Sequence, residues 1–249
     1  MTKLKALIFD VDGTLAETER DAHRVAFNET FAEYQLDWVW SVELYGELLA
    51  VTGGKERMKF YLERYRPDVP RVDDAFIAEL HQHKTARYNK MLRSRPIPLR
   101  PGVRRLVEQA RSEGIRLAIA TTTSLDNVTT LLVHSLAPDA VEWFDVIAAG
   151  DMVSLKKPAP DIYDYALKNL GLPAGECIAI EDSYNGIRSA MAANVPTLVT
   201  VSDYTRKEDF TGALLVLNHL GEPEQPFTVL AGNAGEACYV DVAMLRGLV

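Results

Sequence analysis

The sequence predicts an α/β fold, a Rossmann-like doubly wound parallel sheet with an α-helical domain inserted after the first strand. Three observations carry this expectation: short apolar runs that recur along the chain, helical patterns between them, and one long stretch with no strand pattern. The runs are LKALIF (4–9), IRLAIA (115–120), DVIAAG (145–150), CIAI (177–180), PTLVTV (196–201) and ALLVL (213–217). Runs that are apolar at consecutive positions suit strands covered on both faces, as in a parallel sheet. Val103, Leu106, Val107 and Ala110 keep the i, i+3, i+4, i+7 spacing of one helix face, after Pro101 and before Gly114. Ile162, Tyr165, Ala166 and Leu170 do the same and stop at Gly171, while Ile187, Ala190 and Met191 make a shorter version. Strand and helix in alternation are the pattern of a doubly wound sheet.

Residues from about 16 to 94 break that rhythm. Phe27, Thr30, Phe31 and Tyr34 share a helical face, and DDAFIAELHQHKTARYNKML reads as a longer helix. The chain then returns through RSRPIPLRPG, where Pro96, Pro98 and Pro101 stiffen the path. The expected division is therefore a core of residues 1–15 and 95–249 and a helical cap of residues 16–94. The tail from Gly221 offers little pattern beyond a short closing helix in VAMLRGL.

Composition narrows the function classes. With 249 residues, 47% hydrophobic and 25% charged, the chain has the make-up of a globular protein able to bury a core. A formal charge of −8 argues against general binding to nucleic acid or to an anionic membrane. The start, MTKLKALIFD, turns polar too soon for a secretory signal or a membrane span, so a cytoplasmic location is expected. Cys177 and Cys238 lie far apart without metal-ligand spacing, and Cys177 reads as a small core residue.

In open parallel sheets ligands bind beyond the carboxyl ends of the strands. There the first strand delivers Asp10 and Asp12, and the second Thr121, Thr122, Thr123 and Ser124. The loop after the third delivers Lys156 and Lys157, and the fourth strand Glu181 and Asp182. Taken singly, the hydroxyls could cap a helix, the lysine could be a solvated loop charge and the last acids a capping pair. Together they form a hard, oxygen-rich site suited to Mg²⁺ and a phosphate ester, and the scattered histidines give zinc no ligand set. Two carboxylates one residue apart repel unless one is neutral or a cation intervenes. In phosphoryl transfer one can be the nucleophile, and the other can protonate the leaving oxygen and then activate water.

These motifs resemble the haloacid dehalogenase-type hydrolase superfamily over about residues 5–200. DVDGT is similar to its first motif, Thr121 to its second, Lys157 in KKPAPDIY to its third and EDSYNGI to its fourth. The helical insertion resembles the C1 cap of the branch holding β-phosphoglucomutase and phosphoglycolate phosphatase. FDVDGTLAETERDAHRVAFNETF and TGGKERM look most like CbbY-type proteins, which are associated with Calvin-cycle operons and with dephosphorylation of xylulose-1,5-bisphosphate. The resemblance implies Asp10 as nucleophile and Asp12 as general acid/base, with Thr121 and Lys157 holding the phosphoryl group. It also implies a Mg²⁺ site from Asp182, Glu181, the Asp10 side chain and the Asp12 carbonyl. Asp12 is the aspartate that true dehalogenases of the superfamily lack, so phosphoryl transfer is the expected chemistry. His23 lies near a cap-facing histidine of relatives, but its spacing varies there and it is not counted as catalytic.

Substrate choice is expected from the cap. TGGKER (52–57) reads as a Gly-Gly bend presenting Lys55 and Arg57, either a solvated turn or a clamp for a second phosphate. Glu17 and Glu19 are candidates for sugar hydroxyls, or simply a helix start. The expected partner is a small-molecule phosphate ester, bound by a monomeric protein, with no nucleic acid or membrane partner. A phosphomutase or phosphoglycolate-type phosphatase is the alternative within the same chemistry. A non-catalytic binding protein on the same fold is the alternative outside it, and the intact acids count against it.

Overall fold

The computed structural model describes residues 4–70 and 72–249. Six parallel strands form the centre: β1 (Ala6–Phe9), β2 (Arg116–Thr121), β3 (Val146–Ala149), β4 (Cys177–Glu181), β5 (Thr197–Thr200) and β6 (Leu215–Leu217). A seventh, β7 (Val229–Gly232), runs antiparallel to β6, and the order across the sheet is β3-β2-β1-β4-β5-β6-β7. All six expected strands are present. The seventh was not foreseen, because every residue of β7 is solvent-exposed and so the strand has no buried face to impose an alternating pattern. Cys177 is buried at the start of β4, as read from its apolar run.

Helices cover both faces. α5 (Val103–Ser112) and α9 (Val242–Leu248) pack on the side of Leu7 and Phe9, and α7 (Asp161–Leu170) on the side of Ala6 and Ile8. Successive side chains of β1 thus serve two cores, which explains why its sequence is apolar at every position. α6 (Leu125–Leu131) follows β2, and α8 (Tyr184–Ala192) follows β4. Asn194 takes the left-handed conformation (φ 59°) after α8, a backbone that asparagine tolerates better than most side chains.

Between β1 and β2 lie α1 (Arg24–Glu33), α2 (Val42–Leu48), α3 (Gly54–Tyr65) and α4 (Asp74–Ser94), with no strand among the described residues. Ser41 and Asp73 fix two of these starts by accepting from the amides of Leu44 and Phe76. The four helices close on an aromatic cluster of their own. Trp40 is fully buried there, with ring centroids 4.6 Å from Phe27, 5.0 Å from Phe31 and 5.5 Å from Tyr61. The second half of α4 instead joins the main core through Tyr88 and Leu92. The two crossings between insertion and sheet run side by side: Ala16 bridges to Leu99, and the Arg100 amide donates to the Leu15 carbonyl at 2.9 Å. No helix of the described residues is long and apolar enough to cross a membrane.

Because Trp40 fills the centre of the aromatic cluster, Trp40→Ala should cost about 3–5 kcal/mol of stability. Denaturant unfolding followed by circular dichroism checks this. A loss well under 1 kcal/mol would mean that the insertion is held by something other than this cluster.

Candidate active site

The register of the central strands builds the site. Phe9 pairs with Ile180, so Asp10 and Glu181 emerge side by side where β1 and β4 end. The Asp10 amide still donates to the Ile180 carbonyl at 3.0 Å, which holds its backbone in the ladder. Thr121 is the last residue of β2, and Lys157 comes from the loop after β3. The Lys157 ammonium donates to Asp10 Oδ1 at 2.7 Å and to Glu181 Oε1 at 2.6 Å. Tyr163 on α7 donates to the same Glu181 oxygen at 2.5 Å.

Asp10, Lys157, Glu181 and Asp182 are all buried, and the proton affinities of Asp10, Asp182 and Lys157 depart from their ordinary values. Burial, opposed by Lys157 and reinforced by Glu181 and Asp12, raises the Asp10 carboxyl to about 7. Burial, with Asp10 and Glu181 beside it, holds Asp182 well above the usual carboxylate range. Burial disfavours the Lys157 ammonium, but the two carboxylates outweigh it and raise its proton affinity. Asp10 and Glu181 share Lys157 while Asp182 stands beside both of them, and a cation would relieve the repulsion that remains. One oxygen from each of Asp10, Glu181 and Asp182 lies within 4.8 Å of the others. Glu181 Oε2 is buried with no protein partner among the described residues. A Cβ at Gly13 would come within 2.2 Å of Asp182 Oδ2, so a glycine with φ 85° leaves the carboxylate its place. This donor set fits a hard divalent cation such as Mg²⁺.

Asp12 lives in a different environment. Its Oδ1 accepts from Thr18 Oγ1 at 2.5 Å and lies 2.9 Å from His23 Nε2. His23 Nδ1 lies 2.6 Å from Lys84 Nζ, and the ring stacks on Tyr88 with centroids 4.1 Å apart. An ammonium can only donate, so Nδ1 is the acceptor and Nε2 carries the proton directed at Asp12. Burial alone would raise the Asp12 carboxyl, but His23, Thr18 and Lys84 together hold it near 2. Burial brings Lys84 down to about 8.

The other sequence candidates divide. Thr121, Thr122, Lys157, Arg57 and Asp182 line one cavity with Asp10 and Asp12. Thr123 and Ser124 lie in an adjoining recess with Asp12, Arg57 and Lys84. Thr123 Oγ1 accepts from Asn127, and Ser124 caps α6, the ordinary role foreseen for it. Arg57 is buried, donates to Tyr45 Oη at 2.8 Å and lies 3.7 Å from Glu19, so Glu19 faces the site through Tyr45 and Arg57.

Lys55 and Glu17 are elsewhere. TGGKER is not a free bend: α3 begins at Gly54, and residues two apart on a helix point to nearly opposite sides. Lys55 therefore turns to Asp151 at 2.8 Å and borders a pocket that shares Thr122 and Ser124 with the recess but is lined by none of the four site acids. Glu17 is drawn to the Arg100 guanidinium at 3.3 Å and borders a cavity beside the chain crossings. The set omitted Thr18, His23, Lys84 and Tyr88. Spacing could not have joined them, since only the packing of α4 on α1 brings Lys84 to His23.

Known proteins resemble this chain in sequence and in fold. The sequence model for haloacid dehalogenase-like hydrolases matches residues 4–194. Protein CbbY of Rhodobacter capsulatus is 53% identical over 211 residues, covering 85% of this chain and 91% of that protein. The plasmid-borne CbbY of Cupriavidus necator is 46% identical over 98% of this chain and 96% of its own length. A crystal structure of a CbbY point mutant from Rhodobacter sphaeroides, in complex with xylulose-1,5-bisphosphate, superposes with a TM-score of 0.82. It is 48% identical, over 87% of this chain and 94% of that one. A sheet edge that gathers Asp10, Asp12, Thr121, Lys157, Glu181 and Asp182, under a matching family model and beside such relatives, leaves one assignment: the chain belongs to the haloacid dehalogenase-like hydrolases, as a phosphatase of CbbY type.

Proposed function

We propose that the protein removes one phosphate from a small sugar bisphosphate such as xylulose-1,5-bisphosphate, through an aspartyl-phosphate on Asp10. The observation that carries this reading is the separation of the two aspartates into unlike environments: Asp10 against Lys157, and Asp12 against Thr18 and His23. One carboxylate placed to attack and another placed to move protons is the division that a double displacement needs. The complex of the CbbY relative with xylulose-1,5-bisphosphate supports the choice of substrate.

In the first half, an Asp10 oxygen bonds to phosphorus while the bond from phosphorus to the sugar oxygen breaks. Asp12 gives that oxygen its proton. In the second half water bonds to phosphorus, Asp12 takes the water's proton, and the bond to Asp10 breaks to release inorganic phosphate. Held by Thr18 and His23, Asp12 is an ionised base, so it takes up a proton before it serves as acid. Lys157 and Thr121 hold the transferring oxygens, and Lys157 keeps Asp10 aligned. Asp10, Glu181 and Asp182 would hold Mg²⁺, which offsets the charge on the phosphoryl group when bound. Arg57, with Thr123 and Ser124 in the adjoining recess, meets the phosphate that is not transferred.

The direct test is phosphate release from a panel of sugar mono- and bisphosphates. Xylulose-1,5-bisphosphate should be turned over with Mg²⁺, and not in excess chelator or by Asp10→Asn. Undiminished release by a clean Asp10→Asn preparation would end the reading.

Asp12→Asn should lower kcat/KM for an alkyl phosphate by ~10²–10⁴-fold, the usual worth of a general acid. p-Nitrophenyl phosphate, whose leaving group needs little protonation, should be comparatively spared in kcat/KM, which reports only steps up to leaving-group departure. Equal losses on both would remove the acid role from Asp12.

Arg57→Ala should cost a sugar bisphosphate about ten- to hundredfold in kcat/KM, equivalent to the roughly 1.5–3 kcal/mol of a charge-assisted hydrogen bond. A small activated monoester should lose almost nothing, and Arg57→Lys should recover only part because the planar fork is gone. If both substrates suffer alike, Arg57 serves the fold of the insertion instead.

A further inference from the structure

Arg100 is an unusual residue to find at the second chain crossing. It is 8% exposed, and its guanidinium is spent almost entirely on main-chain carbonyls from three separate segments. Nη1 donates to the Gly13 carbonyl and, at 2.9 Å, to that of Thr200. Nη2 donates to the carbonyls of Val201 at 2.6 Å and Asn218 at 2.8 Å. Nε lies 3.3 Å from Glu17, the only carboxylate in an ion pair with it among the described residues. A buried cation given mostly neutral acceptors is costly to keep, which points to a role in placing what it binds.

What it binds is the loop that carries Asp12. The amides of Thr14, Leu15 and Ala16 all reach back to the Val11 carbonyl, and the Gly13 amide donates to Ala16 at 2.8 Å, so residues 11–16 form a tight unit. That unit is wedged between two fixed walls. On one side a Cβ at Gly13 would come within 2.2 Å of the Asp182 carboxylate and 3.2 Å of Ser202, so the loop has no room to move that way, and on the other Arg100 ties the Gly13 carbonyl to the ends of β5 and β6. Asp10 needs no such tie. Its amide belongs to the β4 ladder, and Lys157 holds its side chain.

We propose that Arg100 is a positioning residue for Asp12: by anchoring the Gly13 carbonyl to the ends of β5 and β6, it sets where the proton-transfer carboxylate sits relative to a nucleophile fixed independently by β1, β4 and Lys157. The inference rests on Asp12 as proton donor, and the experiment measures that reading alongside it. A merely structural arginine would lower stability without distinguishing one leaving group from another.

The test compares wild type, Arg100→Met, Arg100→Lys, Asp12→Asn and Arg105→Met in kcat/KM for a sugar bisphosphate and for p-nitrophenyl phosphate, with thermal unfolding of each. Arg105 is the control, since it too donates to main-chain carbonyls, those of Gly221 and Val240, but away from the acids. A displaced proton donor should cost Arg100→Met about 10²-fold on the sugar ester, within the range that an ångström of misplacement produces, and no more than about threefold on p-nitrophenyl phosphate. Arg100→Lys should fall between, since one ammonium cannot span the carbonyls that the planar fork spans. Arg105→Met should melt earlier and keep the wild-type ratio of the two substrates. If Asp12→Asn discriminates between leaving groups and folded Arg100→Lys does not, the positioning role is overturned and the Asp12 reading stands. If Asp12→Asn does not discriminate, both fall. Should Arg100→Met fail to fold, Arg100→Lys and the milder Glu17→Gln carry the comparison, and wild-type ratios in both would overturn the proposal.

Discussion

Buried charge is the constraint on which the molecule turns. Asp10, Glu181 and Asp182 are withdrawn from water together, and carboxyls in that position are tolerable only when protonated or with opposite charge at hand. Lys157 supplies part of it and must itself be buried to do so. The arrangement depends on strand register. With Phe9 opposite Ile180, the two acids emerge level, and a one-residue slip would send one of them to the other face. The apolar character of β1 and β4 therefore matters beyond stability, because a sheet packed on both faces cannot slide.

The insertion adds what the sheet edge lacks. His23 stands just ahead of α1, Lys84 lies on α4 and Arg57 on α3, all three lining the recess beside Asp12, while Tyr45 on α2 holds Arg57 in place. Close contacts tie the insertion to the core around this point: Thr52 donates to the Lys157 carbonyl, Asn185 to the Ala50 carbonyl at 3.1 Å, and Lys55 pairs with Asp151. The groups that bear on Asp12 and those that bear on Asp10 thus come from different parts of the chain. The environment of one aspartate can change without dismantling that of the other.

The strands and the acids were legible because each leaves a local mark: a doubly covered strand is apolar throughout, and site residues follow directly where such a strand ends. The residues misread or passed over depend on what the chain meets after folding. Glu17 and Glu19 are indistinguishable in sequence, yet Arg100 claims the first while Tyr45 and Arg57 receive the second. Lys55 and Arg57 looked like a pair only until α3 separated them by two helical positions. His23 and Lys84 are joined by packing alone, and β7 shows no pattern because it buries nothing.

The adjacency of the two crossings has a consequence for how such an enzyme diversifies. Where Ala16 meets Leu99 and Leu15 meets Arg100, the long helical excursion begins and ends at one spot on the sheet. Closing a loop whose ends already touch adds an entropic cost that grows only slowly with its length. The excursion could be lengthened, shortened or exchanged for another with neighbouring ends, and the strands that carry the acids would keep their places. Its aromatic cluster travels with it, so a replacement brings its own internal packing. Thr18, His23 and Lys84 travel with it too, so an exchange leaves Asp10, Glu181 and Lys157 in their mutual contacts and gives Asp12 a new set of neighbours.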